Sequence, residues 1–70
     1  MASQQHRLEK MLARTRAGKR VLVNVGGAPL YVFSSVLWGG VSPNVQLTSL
    51  DGTQRFSKTA AEWRKLGVDL

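Results

Sequence analysis

Apolar positions along this chain recur with two different periods, and each period predicts a different element. Over residues 4–17, Leu8, Met11, Leu12 and Thr15 fall at helical spacing, with Arg7, Lys10 and Arg14 in a second stripe about a third of a turn away. Ser3 is expected to cap the start of this helix, and Gly18 to end it in a left-handed conformation. The spacing therefore predicts an amphipathic helix with a basic flank within residues 1–18.

From residue 19 to residue 57 the pattern is that of strands. Residues 20–25 (RVLVNV) alternate, and Gly26-Gly27 supplies the positive φ angles of a two-residue hairpin turn. That turn predicts Val23 opposite Leu30, Val21 opposite Val32, Leu22 opposite Tyr31 and Arg20 opposite Phe33. Pro29 falls opposite Asn24, where its missing N–H faces away from the partner strand.

Residues 30–38 are apolar on both faces, with Leu30, Val32, Val36 and Trp38 on one and Tyr31, Phe33 and Leu37 on the other. A strand of that kind is covered twice, by helices, by closure of the sheet or by a second subunit. Gly39-Gly40 and Ser42-Pro43-Asn44 mark a turn or bulge. Alternation then resumes, with Val45 and Leu47 inward and Asn44, Gln46 and Thr48 outward. A two-residue turn at Asp51-Gly52 would pair Leu47 with Phe56 and Thr48 with Arg55, which sets Phe56 in the core and Arg55 outside.

A short helix is expected within residues 58–67. Thr59 and Glu62 have capping-box spacing, Ala60, Ala61, Trp63 and Leu66 follow, and Gly67 stands where a left-handed terminator would. The elements add up to one small α+β domain over residues 1–70. It has an N-terminal amphipathic helix, a four-stranded twisted antiparallel sheet or small SH3-like barrel, and a short C-terminal helix.

Length and composition narrow the picture. A core built from 70 residues supplies only ~3–5 kcal/mol of net stability unless something staples it. With no Cys and only His6, neither a disulfide nor a structural zinc is expected. Self-association, most simply to a dimer that covers the second apolar face of residues 30–38, is the expected supplement. The apolar run is interrupted by Asn24, Gly26, Gly27, Pro29, Ser34 and Ser35, so neither a membrane span nor a cleaved signal is expected, and a cytoplasmic location is.

Charge is the most uneven property of the chain. Six Lys and Arg against Glu9 leave residues 1–20 at +5. Residues 21–50 hold no charged side chain, and four Lys and Arg against three carboxylates leave residues 51–70 at +1. That much uncompensated positive charge on one segment suggests an anionic partner. Arg7, Lys10, Arg14, Arg16, Lys19, Arg20 and Arg55 are the candidates for phosphate contacts, since clustered, solvated cations neutralise phosphates and release counterions. Tyr31 and Phe33, two apart on a strand, are candidates for stacking on single-stranded bases, set against burial in the core. Burial is favoured, because aromatics on apolar strands are usually core in so small a domain.

Catalytic chemistry has little to work with. One His and four carboxylates all lie outside the neutral body, and none forms an evident acid–base or nucleophile pair. Gly18-Lys19-Arg20 lacks the preceding strand, the spaced glycine and the hydroxyl of a phosphate loop. The Gly-Gly pairs read as turn geometry. No enzyme activity, cofactor or metal is expected.

Residues 58–70 (KTAAEWRKLGVDL), with Ala60, Ala61, Leu66, Gly67 and Val68 at matching positions, resemble the first helix and turn of helix-turn-helix proteins. That resemblance implies DNA contact through a recognition helix, which lies beyond the matching segment. A basic helix followed by strongly bent strands is also similar, in element order alone, to Sm-like RNA-binding proteins, which do not require the capped terminal helix.

The function expected from this pattern is that of a small basic accessory or regulatory protein that grips DNA or RNA phosphates with its first helix and the linker after it. The alternative is an interaction module or inhibitor that docks on an acidic protein surface through an apolar anchor such as Trp38 or Trp63.

Overall fold

The computed structural model describes residues 4–70, so the expected cap at Ser3 lies outside the described residues. The elements are α1 (Gln4–Arg16), β1 (Leu22–Val25), β2 (Ala28–Leu37), β3 (Asn44–Ser49), β4 (Arg55–Thr59) and α2 (Ala60–Lys65). The four strands form one antiparallel sheet in the order β1-β2-β3-β4. Of the two architectures the pattern allowed, the sheet is the open one.

Both helices contribute to a single core on one face of this sheet. Leu8 of α1 and Ala60 and Trp63 of α2 are buried with Val21, Val23, Phe33, Val45 and Leu47, and Met11 and Leu12 pack against them. The inward hydroxyl of Thr15 donates to the Met11 carbonyl at 3.0 Å, so the apolar stripe of α1 contains no unpaired donor there. The helix ends at Arg16, and Gly18 at φ +83° reverses the chain so that the Lys19 N–H returns to the Arg14 carbonyl at 3.0 Å.

The β1–β2 hairpin turns at Gly26-Gly27, whose φ angles of +60° and +87° only glycine adopts without strain. Its register departs from the expected one. Asn24 does pair with Pro29, but Val23 pairs with Tyr31 and Leu22 with Val32, so Leu30 bulges out and is 50% exposed. Upstream, the Phe33 N–H donates to the Val21 carbonyl, which displaces Arg20 from its expected place opposite Phe33. The bulge puts Val21 and Val23 on the same face as Tyr31 and Phe33. An unbroken register would have buried Leu30 and Val32 instead, at a loss of apolar area.

A second bulge at Ser34 reverses the faces again. Phe33 pairs with Leu47, but Ser35 pairs with Gln46 and Val36 with Val45. Val36 thereby joins the core side and Leu37 turns to solvent, the opposite of the expected alternation. Two bulges in ten residues let one strand bury its larger side chains while bending over the helices.

The β3–β4 register agrees with expectation, Leu47 with Phe56 and Thr48 with Arg55. The turn is longer, because the ladder closes at Ser49 and Gln54 and leaves residues 50–53 as the loop. Asp51 accounts for the difference. Its carboxylate accepts from the Ser49 Oγ at 2.6 Å, the Thr53 N–H at 3.0 Å and the Thr53 Oγ1 at 2.8 Å, which a two-residue turn would not allow.

Strand pairing of β4 continues to Thr59, which then caps α2. Glu62 N–H donates to Thr59 Oγ1 at 3.2 Å, and Thr59 N–H donates to Glu62 Oε1 at 3.1 Å, the reciprocal pair of a capping box. Within α2, Trp63 is 1% exposed, and its indole N–H donates to the Val45 carbonyl at 2.9 Å. The rings of Trp63 and Phe56 flank Tyr31, at centroid distances of 5.4 and 5.6 Å.

At Gly67, φ +85°, the chain reverses and the Val68 N–H returns to the Trp63 carbonyl. Residues 68–70 are not helical, and the Leu70 N–H turns back to the Val68 carbonyl at 3.1 Å. Val68 bridges Val25, the Asp69 N–H donates to the Asn24 carbonyl at 2.8 Å, and Leu70 is buried. This tail lies against the Val25 end of β1, and within these residues no second helix follows α2.

Trp63→Ala is expected to remove about 3–5 kcal/mol, as much as a core of this size supplies, and to leave the chain unfolded by far-UV circular dichroism. Trp63→Phe retains most of the packing but loses the bond to Val45, at about 1 kcal/mol. It is expected to stay folded with a lower urea midpoint, and an unchanged midpoint would show that the bond contributes nothing.

Candidate nucleic-acid interface

Helical geometry divides the cations of the basic segment. Arg7, Lys10 and Arg14 share one flank of the apolar stripe of α1, whereas Arg16, two residues past Arg14, points about 200° around the axis. The surface follows this division. Arg14 meets Lys19 and Arg20 around an open concavity of about 460 Å³ whose floor is Val21 and Leu22. Arg16 lies instead with Glu9, Leu12, Ala13 and Trp38 around a separate one of about 290 Å³.

The linker cations are held in place by the fold. Gly18 turns the chain out of α1 so that Lys19 and Arg20 follow directly beside Arg14. Arg20 then reaches the Leu50 carbonyl at the end of β3, which ties the segment before β1 to the β3–β4 turn. At the other end of the helix, Arg7 Nη2 lies 3.3 Å from Asp69 Oδ1, a solvated pair that links α1 to the C-terminal residues.

Arg55 is reached across the open face of the sheet. Leu22, Val32, Thr48 and Arg55 are successive cross-strand partners, so they form a row perpendicular to the strands. Leu22 at one end belongs to the concavity of Arg14, Lys19 and Arg20, and Arg55 stands three strand spacings away, about 14 Å. The neighbouring row, Ser35, Gln46 and Ser57, is polar and uncharged, with Ser35 Oγ donating to Gln46 Oε1 at 3.0 Å. The uncharged floor was legible only as the outward positions of β3. That it lies between two cationic margins depends on the cross-strand register.

Tyr31 and Phe33 are on the opposite face. Phe33 is 2% exposed, and Tyr31 is held between Phe56 and Trp63. Phe33 is thus a core residue, and Tyr31 is half-buried on the same side. Trp63 is likewise internal and is no docking anchor, whereas Trp38 is 43% exposed.

The carboxylates of Asp51 and Glu62 are committed to their own turns. Hydrogen bonds from Ser49 and Thr53 hold the Asp51 carboxyl down to about 2, and those from Thr59 lower Glu62. Neither makes an ion pair with a cation of the candidate interface. Among the described residues no three His, Asp or Glu side chains come together as metal ligands, and no helix is long and apolar enough to cross a membrane.

Because the folded-state value of Asp51 is depressed from 3.8 to about 2, its contribution to stability is complete above the unfolded value and is lost as pH falls from about 4 to 2. Carbon-detected titration of the Asp51 carboxyl should give a midpoint near 2, and Asp51→Asn should flatten the acid limb of the stability profile over that interval. A midpoint at the ordinary value of 3.8 would mean that the turn is not organised by this side chain.

No family model, curated protein or solved structure matches this chain.

Proposed function

We propose that this chain is a small non-enzymatic nucleic-acid-binding protein, an accessory or regulatory factor, which grips phosphates along the β1 margin of its open sheet face. The observation that carries the reading is the convergence of Arg14, Lys19 and Arg20 on one solvent-open concavity with no carboxylate in its lining. Lys10 extends the cationic line along α1, and Arg55 provides a cation on the far margin of the face. Between them, Val32, Thr48, Ser35 and Gln46 offer an uncharged surface over which sugars and bases can lie. A cytoplasmic setting accords with a chain that has no cysteine.

Contacts of this kind position a nucleic acid without reading its sequence. Their free energy comes largely from counterion release, so affinity falls steeply with salt. Arg16 and Arg7 have lesser parts in this reading, the first because it is on the other flank of α1, the second because Asp69 already neutralises it.

A second reading has one observation in its favour. Trp38 is 43% exposed beside Arg16, and Leu37 and Val41 are also exposed nearby. An aromatic anchor next to a cation suits an acidic protein surface.

Fluorescence anisotropy of labelled duplex DNA, single-stranded DNA and RNA at several salt concentrations separates the two. The triple variant Arg14→Ala/Lys19→Ala/Arg20→Ala should weaken binding and reduce the salt slope by about one unit per cation removed, while Arg16→Ala changes little. Full binding by the folded triple variant would overturn this assignment of the site. Absence of binding to all three ligands at low salt would overturn the function and leave the Trp38 surface as the docking site for a protein.

A further inference from the structure

The two edges of the sheet are treated differently. The Val25 end of the β1 edge is met by the chain itself, through the Val25–Val68 bridge and the bond from Asp69 to Asn24. Among the described residues, the β4 edge has no strand beside it.

Which backbone groups of β4 face outward follows from the ladder. Ser49 N–H donates to the Gln54 carbonyl and Ala60 N–H to the Pro43 carbonyl, so residues 54, 56, 58 and 60 turn their amides toward β3. Residues 55, 57 and 59 therefore turn theirs away. The outward N–H of Thr59 is already donated to Glu62 Oε1. Arg55 and Ser57 are left with an outward N–H and C=O each, an alternation of groups that matches the repeat of an antiparallel strand.

We propose that a second copy of this chain pairs antiparallel along β4, with the twofold axis passing between the two Phe56 residues. In that register Arg55 and the partner's Ser57 exchange both backbone hydrogen bonds, and symmetry repeats the exchange. Every outward group of Arg55 and Ser57 is then used. Moving the axis to Ser57 would set Arg55 against the partner's Thr59, whose N–H is spent. Moving it to Arg55 would bring two guanidinium-bearing residues face to face, which is unfavourable. Charge thus selects the same register as hydrogen bonding, since it sets Arg55 opposite the partner's Ser57 and Lys58 opposite the partner's Gln54.

The side chain at the axis supports this choice. Phe56 points to the core side and packs edge-on against Tyr31, yet it is only half-buried, and among the described residues no strand lies beyond β4. Residues opposite one another at a non-hydrogen-bonded position bring their Cβ atoms within about 5 Å, so each Phe56 ring would cover the open side of the other. Lys58, the inward charge that could keep a neighbour away from this edge, is folded back over the Trp63 ring at 5.8 Å. A twofold axis perpendicular to the sheet keeps both helical layers on one face and yields an eight-stranded sheet whose opposite face carries two copies of the cationic margin.

Sedimentation across a dilution series should give twice the 7.7 kDa chain mass, relaxing to monomer on dilution. Ser57→Pro removes one outward N–H at an edge position that tolerates proline, and it should halve the observed mass while the circular dichroism stays native. Hydrogen exchange provides a second readout that needs no variant. Amides of Phe56 and Lys58 should be protected at every concentration, and those of Arg55 and Ser57 only where the dimer is populated. A chain that is monomeric throughout, with Arg55 and Ser57 exchanging freely, would overturn the proposal and leave the edge open to an extended segment of another protein. A dimer in which those two amides exchange freely would overturn it equally, because the contact would then lie elsewhere, as on the exposed Leu30 and Leu37. If Ser57→Pro fails to fold, the exchange pattern of the unsubstituted chain decides.

Discussion

Trp63 holds together parts of the molecule that have no other reason to meet. A six-residue helix has no stability of its own in water, and α2 exists because the Thr59 capping box starts it and the Trp63 ring is buried under the sheet. The indole N–H on the Val45 carbonyl pins that ring to an interior strand, and Tyr31 packs against it from β2. From this fixed point the chain turns at Gly67 and places residues 68–70 on β1. One side chain therefore couples β4, β3, β2 and, through the tail, β1. Loss of the ring would unmoor the helix and strip the cover from the far edge of the sheet in the same event.

Residues 44–67 were readable almost position by position. Strict alternation places Val45, Leu47 and Phe56 inward, and the Thr59–Glu62 spacing marks the start of α2, because both signals are local and no stronger preference opposes them. The β1–β2 pair was readable as a hairpin but not in register. Leu30 and Ser34 are extra residues in their strand, and they are extra because burying Tyr31, Phe33 and Val36 together with Val21, Val23 and Val45 outweighs an unbroken ladder. That balance involves partners distant in sequence, whereas alternation of residue type reports only what is adjacent. Asp51 is an intermediate case. The turn was evident from Asp-Gly, but its length is decided by three donors gathered on one carboxylate.

The basic segment shows the same division. That its cations are many and clustered is plain in the sequence, and the flank shared by Arg7, Lys10 and Arg14 follows from helical spacing alone. That Arg14, Lys19 and Arg20 meet around Val21 and Leu22 depends on how Gly18 redirects the chain, and the attachment of Arg20 to Leu50 depends on a strand thirty residues further on. Tyr31 and Phe33 could not be assigned to core or surface until the bulge at Leu30 had set their face.

The tail on β1 also bears on how far an assembly of such sheets could extend. A four-stranded sheet with two bare edges is a bivalent monomer, and bivalent monomers that pair edge to edge propagate into filaments. Here residues 68–70 block one end of the β1 edge, because Val68 bridges Val25 and the Asp69 N–H is bonded to the Asn24 carbonyl. Under the proposed pairing through β4, this partial block at β1 favours a closed twofold object over an open fibre. Residues 68–70 act in this sense as a cap, and their detachment would open the Val25 end of the β1 edge to a further strand.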